Sequence, residues 1–451
     1  MKDNNFLKEN NTRHLLQPMT HVTEGIQNPP TIITRAEGVR ITDVDGNTVI
    51  DAVGGLWNAN LGYSCQPIKD AIARQLDELP YYSTFRGTMP APAIELAHEL
   101  RSWFADDGLV RVFFTSGGSD SVDTSLRLAR QYHKIRGEGE RTKFISFKKG
   151  YHGTHFGGAS VNGNANFRRN YEPLLPGCIH LPAPYPYRNP FGESDPAKLA
   201  QLIAAALEDE IAFNGATTIA ALIMEPILGA GGVLPPHPTL MPMIREICDR
   251  HGILLIADEI ITAFGRTGAW TGSRLWGVQP DMICFAKAIT NAYFPFGGVM
   301  LSERMVEAFE SAKGPEGFVG TGYTYSGHPV GAAAALATLA ETRRLNVVEN
   351  AAARGTQLFQ GAQRLMAKYD LIGDVRGGYG LMTGIECVSD RATRAPAGPA
   401  RMDTIQKIAY QNGVLVRVAG PMIILSPPLI VTEAETDTIL SAIDAGLAAA
   451  A

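Results

Sequence analysis

Between residues 111 and 287 the chain repeats one pattern: a short, almost unbroken apolar run, then small or polar residues. The runs lie at 111–114, 143–147, 219–224 (IAALIM), 253–257 (ILLIA) and 282–286, with helical periodicity between several of them. Strands this apolar are buried on both faces, and their alternation with helices predicts a mainly parallel sheet covered on both sides. The stretch MPMIREICDRH is one such amphipathic helix, stopped by Gly252 at its C-terminus, and 119–136 is another, with Ser119 as its expected N-cap. In sheets of this kind ligands bind beyond the carboxyl ends of the strands. The residues just beyond the five runs are Thr115-Ser116-Gly117-Gly118-Ser119, then Tyr151-His152, Glu225, Asp258-Glu259 and Lys287. These clusters are expected to converge on one rim.

The chain, 451 residues, is long for a single core, and it is read as an N-terminal arm and hairpin (1–60), a large domain (61–330) and a smaller C-terminal domain (331–451). Its first dozen residues read as a mobile arm or a segment that docks on a partner. The stretch VRITDVDGNTVID, from Val39, carries a hairpin pattern around Asp45-Gly46 and is expected to join the smaller domain, which would then be discontinuous. After Gly331 come an alanine-rich helix and short strands mixed with helices; APAGPA (395–400) reads as a surface loop. A net charge of −5 without runs of like charge offers no footprint for nucleic acid or an acidic membrane. Five scattered cysteines without a CxxC spacing point to neither disulfides nor a thiolate zinc site. No apolar stretch reaches the roughly 20 residues of a membrane span, so a cytoplasmic location is expected.

Lys287 comes directly after an apolar run. A lone lysine there commonly snorkels to solvent, but burial would lower its pKa and make it a usable amine nucleophile. Asp258 sharpens the choice, because a carboxylate at a buried strand end is costly without a cationic or hydrogen-bonding partner. A protonated pyridine nitrogen is such a partner, and a Schiff-base lysine with an aspartate on the pyridinium is how proteins hold pyridoxal phosphate. Glu259, on the opposite side of an extended chain, reads as a helix cap or ion-pair member. TSGGSD before a helix offers small residues and free amides to a phosphate. Tyr151 could stack on a ring. The histidines of YHGTH lack a third ligand at a clear spacing, so no metal site is expected.

The set GGSD, YHG, MEP, ADEIITAFGRTG, FAK and TYSGHP, in this order, resembles the class III aminotransferases, pyridoxal-phosphate enzymes of fold type I, over nearly the whole chain. DExxxxFGRTG with a lysine 29 residues after the aspartate is its most specific part. Within the class the chain looks most like omega-transaminases that pass amino groups from amines or omega-amino acids to pyruvate. The resemblance implies an α/β fold with a seven-stranded, mainly parallel sheet and a discontinuous α+β domain. It implies a Schiff base on Lys287, Asp258 on the pyridine nitrogen supported by His152, and Ile260 and Tyr151 on the two ring faces. Glu225 would lie near the ring and Gly118 and Ser119 at the phosphate, joined by Thr324 from the neighbouring subunit of a homodimer. For the substrate pocket it implies Trp57, Phe85, Tyr151, Ala230 and Arg417, the last as a mobile clamp for a carboxylate.

The chain departs from the family pattern in three places. TSGGSD has Gly117 where a serine is common, Ala288 and Ala292 stand where glycines are common, and Arg86 sits beside the pocket. Lys287 and Asp258 would equally serve an aminomutase, racemase or decarboxylase. A nicotinamide-dependent oxidoreductase would need a well-placed GxGxxG, which is missing.

Overall fold

The computed structural model describes residues 3–451, and in it the chain opens with a helix, Asn4–Asn10, capped by Asp3. Asn4 donates its side-chain amide to the Val44 carbonyl (2.8 Å) and Lys8 pairs with Asp45, so this part of the expected arm rests on the chain's own turn. Met1 and Lys2 lie outside the described residues. A second short helix, Val22–Gln27, precedes an antiparallel meander: β1 (Ile33–Glu37), β2 (Arg40–Asp43) and β3 (Thr48–Asp51). Regular structure therefore begins before Val39. β1 is exposed along its whole length and so offers no apolar alternation to read. Gly46, at φ 90°, makes the expected turn, where Asp43 accepts hydrogen bonds from the backbone and side chain of Asn47. β3 also pairs in parallel with Val414–Leu415.

The apolar runs become one seven-stranded sheet: β4 (Leu109–Thr115), β5 (Lys143–Phe147), β6 (Cys178–Leu181), β7 (Ile219–Met224), β8 (Leu254–Asp258), β9 (Met282–Phe285) and β10 (Gly297–Ser302). Their order is β4-β10-β9-β8-β7-β5-β6, parallel except for β10, which runs against both neighbours. Helices cover both faces, as the unbroken apolar runs require. At the centre, Leu222, Ile223, Leu255 and Ile256 are fully buried. Each such side chain contributes about 1.5–3 kcal/mol by leaving water, which makes the middle strands a stiff platform for whatever their ends carry.

Local details correct the sequence reading at several points. The helix after β4 spans Gly118–Ile135 with Gly117, not Ser119, as N-cap, and no side chain bonds to its first amides. Ser119 lies inside the first turn, where its Oγ accepts from the Thr154 amide (3.2 Å). The 395–400 segment forms a two-residue strand and the start of the helix Pro399–Gln411. Proline fits that first helical position because its missing N–H has no partner to lose there. The helix Leu240–His251 ends as expected at Gly252, whose φ of 65° few other residues adopt readily. The remaining sheet joins Ile372–Arg376, Thr383–Asp390, Met422–Leu425 and Arg417–Ala419, in that order, all antiparallel. No helix among the described residues is long and apolar enough to cross a membrane.

Candidate active site

The carboxyl ends of β7, β8 and β9 are neighbours, so Glu225, Asp258 and Lys287 meet in one pocket although they stand far apart in the sequence. Gly118 and Ser119 at the open helix N-terminus, Tyr151, Gly153, Ile260 and Ile261 complete its wall. Five separate strand ends thus deliver their polar residues to one rim.

Asp258 closes β8 and is 3% exposed. Its Oδ2 accepts from His152 Nδ1 at 2.8 Å and its Oδ1 from the Ile260 amide at 3.2 Å. The other imidazole nitrogen, His152 Nε2, is buried without a partner. His152 therefore serves the carboxylate alone, and His155, three residues on, turns away to Asp120 (3.0 Å). Glu225 accepts from the amides of Tyr151 (2.9 Å) and Gly229 (2.8 Å). Burial pushes its carboxyl up to about 7, with Asp258 adding to the rise and His152 opposing it.

Lys287 sits at φ 53° at the start of a tight turn after β9. Burial lowers its pKa to about 8, against the pull of Asp258 and Glu225 and with help from Arg417 and Arg266. Asn291 anchors the turn by accepting from the Leu61 amide and donating to the Gly62 carbonyl, both at 2.7 Å. Ala292, one of the two alanines noted after the lysine, is held at φ 61°. A left-handed conformation costs a non-glycine residue about 1–2 kcal/mol, a strain the turn sustains beside the lysine.

Glu259 leaves the pocket. It accepts from the amides of Gly272 (2.8 Å) and Ser273 (2.7 Å) and from the hydroxyls of Ser273 (2.7 Å) and Thr262 (2.5 Å), tying the chain after β8 to a short helix. Glu259→Ala would strand these buried donors, and we expect a stability loss of about 3–5 kcal/mol, visible as a lowered melting temperature with or without ligand. A melting curve that overlays the wild type would contradict this scaffold role. Arg266 of the FGRTG motif is likewise structural, its fully buried guanidinium donating to the carbonyls of Leu381 (3.1 Å) and Pro427 (2.6 Å) and to Asn60 Oδ1 (2.7 Å).

Residues 22–447 match the family model described as aminotransferase class-III. The chain is a class III aminotransferase. The aminotransferase is 36% identical over 429 residues to the putrescine–pyruvate aminotransferase of Pseudomonas aeruginosa, covering 95% of this chain and 92% of that protein. Its fold superimposes on an amine transaminase from an uncultivated Pseudomonas species, solved in the PLP-bound form, with a TM-score of 0.95 and 46% identity, over 97% of this chain and 98% of that one. It is equally close in fold, TM-score 0.95 at 37% identity, to a thermostable (S)-enantioselective omega-transaminase from Thermomicrobium roseum, covering 100% and 99% of the two chains.

Class III aminotransferases depend on pyridoxal phosphate, and the atoms of this pocket suit it. Asp258 still has acceptor capacity facing a cavity where a cation would meet it. The uncapped helix amides beside Gly118 and Ser119 are free for an anion. A Cβ on Gly118 would come within 2.9 Å of Ile260 and one on Gly153 within 2.6 Å of the Ser119 hydroxyl, so neither wall can thicken without moving the other side.

Of the remaining residues singled out in the sequence, Ala230 and Arg417 line a second cleft of about 770 Å³. The two spaces adjoin: Tyr151 from the first packs edge-on, at 5.0 Å, against Phe167 from the second. Three others lie outside both clefts. Trp57 is 1% exposed at φ 64°, with its buried indole N–H unpartnered. Phe85 is 45% exposed and packs near Gly322. Thr324 is exposed, its carbonyl accepting from the Tyr81 hydroxyl at 2.8 Å. Sequence reasoning missed Gly153, which the YHG motif and its φ of 88° mark in hindsight, and it missed Lys149, Phe167 and Glu386 of the second cleft.

Proposed function

We propose that this aminotransferase is an omega-transaminase that moves an amino group from an amine or omega-amino acid to pyruvate, both half-reactions sharing one pocket. The observation that carries the reading is the meeting of Lys287 and Asp258 beside an uncapped helix N-terminus, with an unpaired arginine in the adjoining cleft. Bound pyridoxal phosphate supplies the electron sink that makes the hydrogen beside the amine nitrogen acidic. Lys287 would hold the cofactor, and its free Nζ would take that proton and return it. A pKa near 8 suits both directions, since either protonation state is accessible near neutral pH. Asp258 keeps a proton on the ring nitrogen, and His152 keeps Asp258 aimed. Ile260 and Tyr151, which line the pocket, would cover the ring and keep water from it, Glu225 would stand near it, and the amides at Gly118 and Ser119 would bind the phosphate.

Arg417 binds the keto acid's carboxylate. The exposed Thr324, which takes no part in the pocket of its own chain, fits a homodimer in which it completes the partner's phosphate site and the exposed Phe85 faces substrate, whereas Trp57, 1% exposed, supports the wall from behind. The pyruvate named for the putrescine and taurine relatives supports the acceptor assignment, and a cytoplasmic setting is part of the same reading. The chain divides, in the same reading, at about residues 60 and 330, and the pairing of β3 with Val414–Leu415 supports joining its first segment to its last.

The test is a single half-reaction: holoenzyme is mixed with a panel of amines, and loss of the visible band of the lysine-bound cofactor is monitored, then its return with pyruvate or 2-oxoglutarate. No change with any amine would refute transamination; recovery only with 2-oxoglutarate would refute the pyruvate assignment. Arg417→Ala is expected to lower kcat/KM for pyruvate about a hundredfold relative to that for phenylethylamine, the worth of a lost bidentate clamp. An equal loss on both would make this arginine structural.

A further inference from the structure

The second cleft contains a cation that the transaminase reading leaves unused. Lys149 enters it from the loop after β5, with its ammonium 5.3 Å from the centre of the Tyr185 ring. Its backbone is left-handed, φ 67°, a conformation a lysine adopts only when its surroundings impose it. Those surroundings are specific. The Lys149 amide donates to the Gly163 carbonyl (2.8 Å), a Cβ on Gly163 would come within 2.6 Å of the Lys149 nitrogen, and a Cβ on Gly231 within 2.5 Å of the Lys149 carbonyl. Two glycines are therefore needed for the bend that turns this residue toward the cleft.

The carboxylate nearest at hand is already taken. Glu386 accepts from Arg188 Nε at 2.6 Å, from Arg376 at 3.2 Å and, closely, from the Tyr185 hydroxyl. Burial pushes its carboxyl up to about 7, with the Lys149 charge opposing the rise, and the two guanidiniums occupy its oxygens. Among the described residues, neither Lys149 nor Arg417 forms an ion pair or side-chain hydrogen bond. One cleft beside the reaction pocket thus holds two positive charges that no carboxylate meets at hydrogen-bond distance among the described residues, Glu386 acting on Lys149 only through space. Two cations lining one cleft favour a ligand with an acid group and disfavour one with a second ammonium.

We propose that Lys149 binds substrate, holding a carboxylate at the far end of the donor from its reacting amine. The proposal rests on the transaminase reading and narrows it: omega-amino acids are preferred donors, and diamines are discriminated against even though a diamine is named for one relative. The same contact receives the second carboxylate of a dicarboxylic acid whose first carboxylate meets Arg417.

The test compares γ-aminobutyrate, n-butylamine and putrescine, which share four carbons and differ in the charge at one end. In the wild-type holoenzyme kcat/KM is expected to fall in that order. Lys149→Met, which keeps the unbranched chain, should reduce the ratio of γ-aminobutyrate to n-butylamine about tenfold, and Lys149→Arg should restore most of it; one charge-assisted contact is worth that much. Calorimetric titration of the holoenzyme with glutarate gives a reading independent of turnover, with Kd rising about tenfold in Lys149→Met. A donor ratio that stays put in Lys149→Met, or unaltered glutarate binding, overturns the proposal. If no donor is converted, the transaminase reading fails, and the glutarate titration still decides the role of Lys149.

Discussion

Lys287→Ala is expected to lower turnover by about four orders of magnitude or more and to abolish the visible band of the lysine-bound cofactor. Two functions disappear at once in this variant: the covalent hold on the cofactor and the base that moves the proton. The environment shows why no neighbour can take over. Asp258 is engaged by His152 and the Ile260 amide, Glu225 by two amides, and Arg417 and Arg266 cannot give up a proton near neutral pH. The check is a stopped-flow half-reaction with the amine donor, repeated with added methylamine. A small external amine should restore part of the lost rate, as it can reach the space the side chain vacated. A lysine with a merely structural role would show no such rescue, and residual activity within tenfold of wild type would sink the assignment.

The second large effect concerns Asp258→Asn. Asparagine keeps the shape and can still pair with His152, so cofactor should remain bound at close to one per chain. What it cannot do is balance a positive charge on the ring nitrogen. A rate loss of about two to four orders of magnitude is expected, with a shift in the absorbance of the bound cofactor. The pairing of full cofactor content with a collapsed rate is the signature; an unchanged rate would refute the electrostatic role.

Much of this arrangement was legible in the sequence, because short apolar runs alternating with helices read as strands of a sheet covered on both faces, and the residues just beyond them then lie at its rim. β6 and β10 escaped that logic for physical reasons. β6 has four residues, one of them histidine, and its first three are only partly buried; β10 opens on Gly297 and Gly298, which are there because a Cβ on either would come within 3 Å of Phe285. Ser119 was misread as an N-cap because serine is a favoured cap. In the fold Gly117 takes that position, and a cap without a side chain leaves the amides open, which an anion site requires and a stable isolated helix does not. The second cleft was only partly legible: the family resemblance implied Ala230 and Arg417, but not Lys149 or Phe167. Lys149, Phe167, Ala230 and Arg417 come from four separate segments, and nothing in local patterning says they meet.

That separation of segments has a bearing on how the protein can be altered. The residues assigned to the chemistry are rooted at the ends of β8 and β9, in the buried middle of the sheet, whereas the walls of the adjoining cleft come from loops and from three strands of the other sheet. Substitutions in those loops need not be transmitted to the strand ends, so donor preference is a property that can be redesigned one wall at a time while the reacting centre is inherited unchanged.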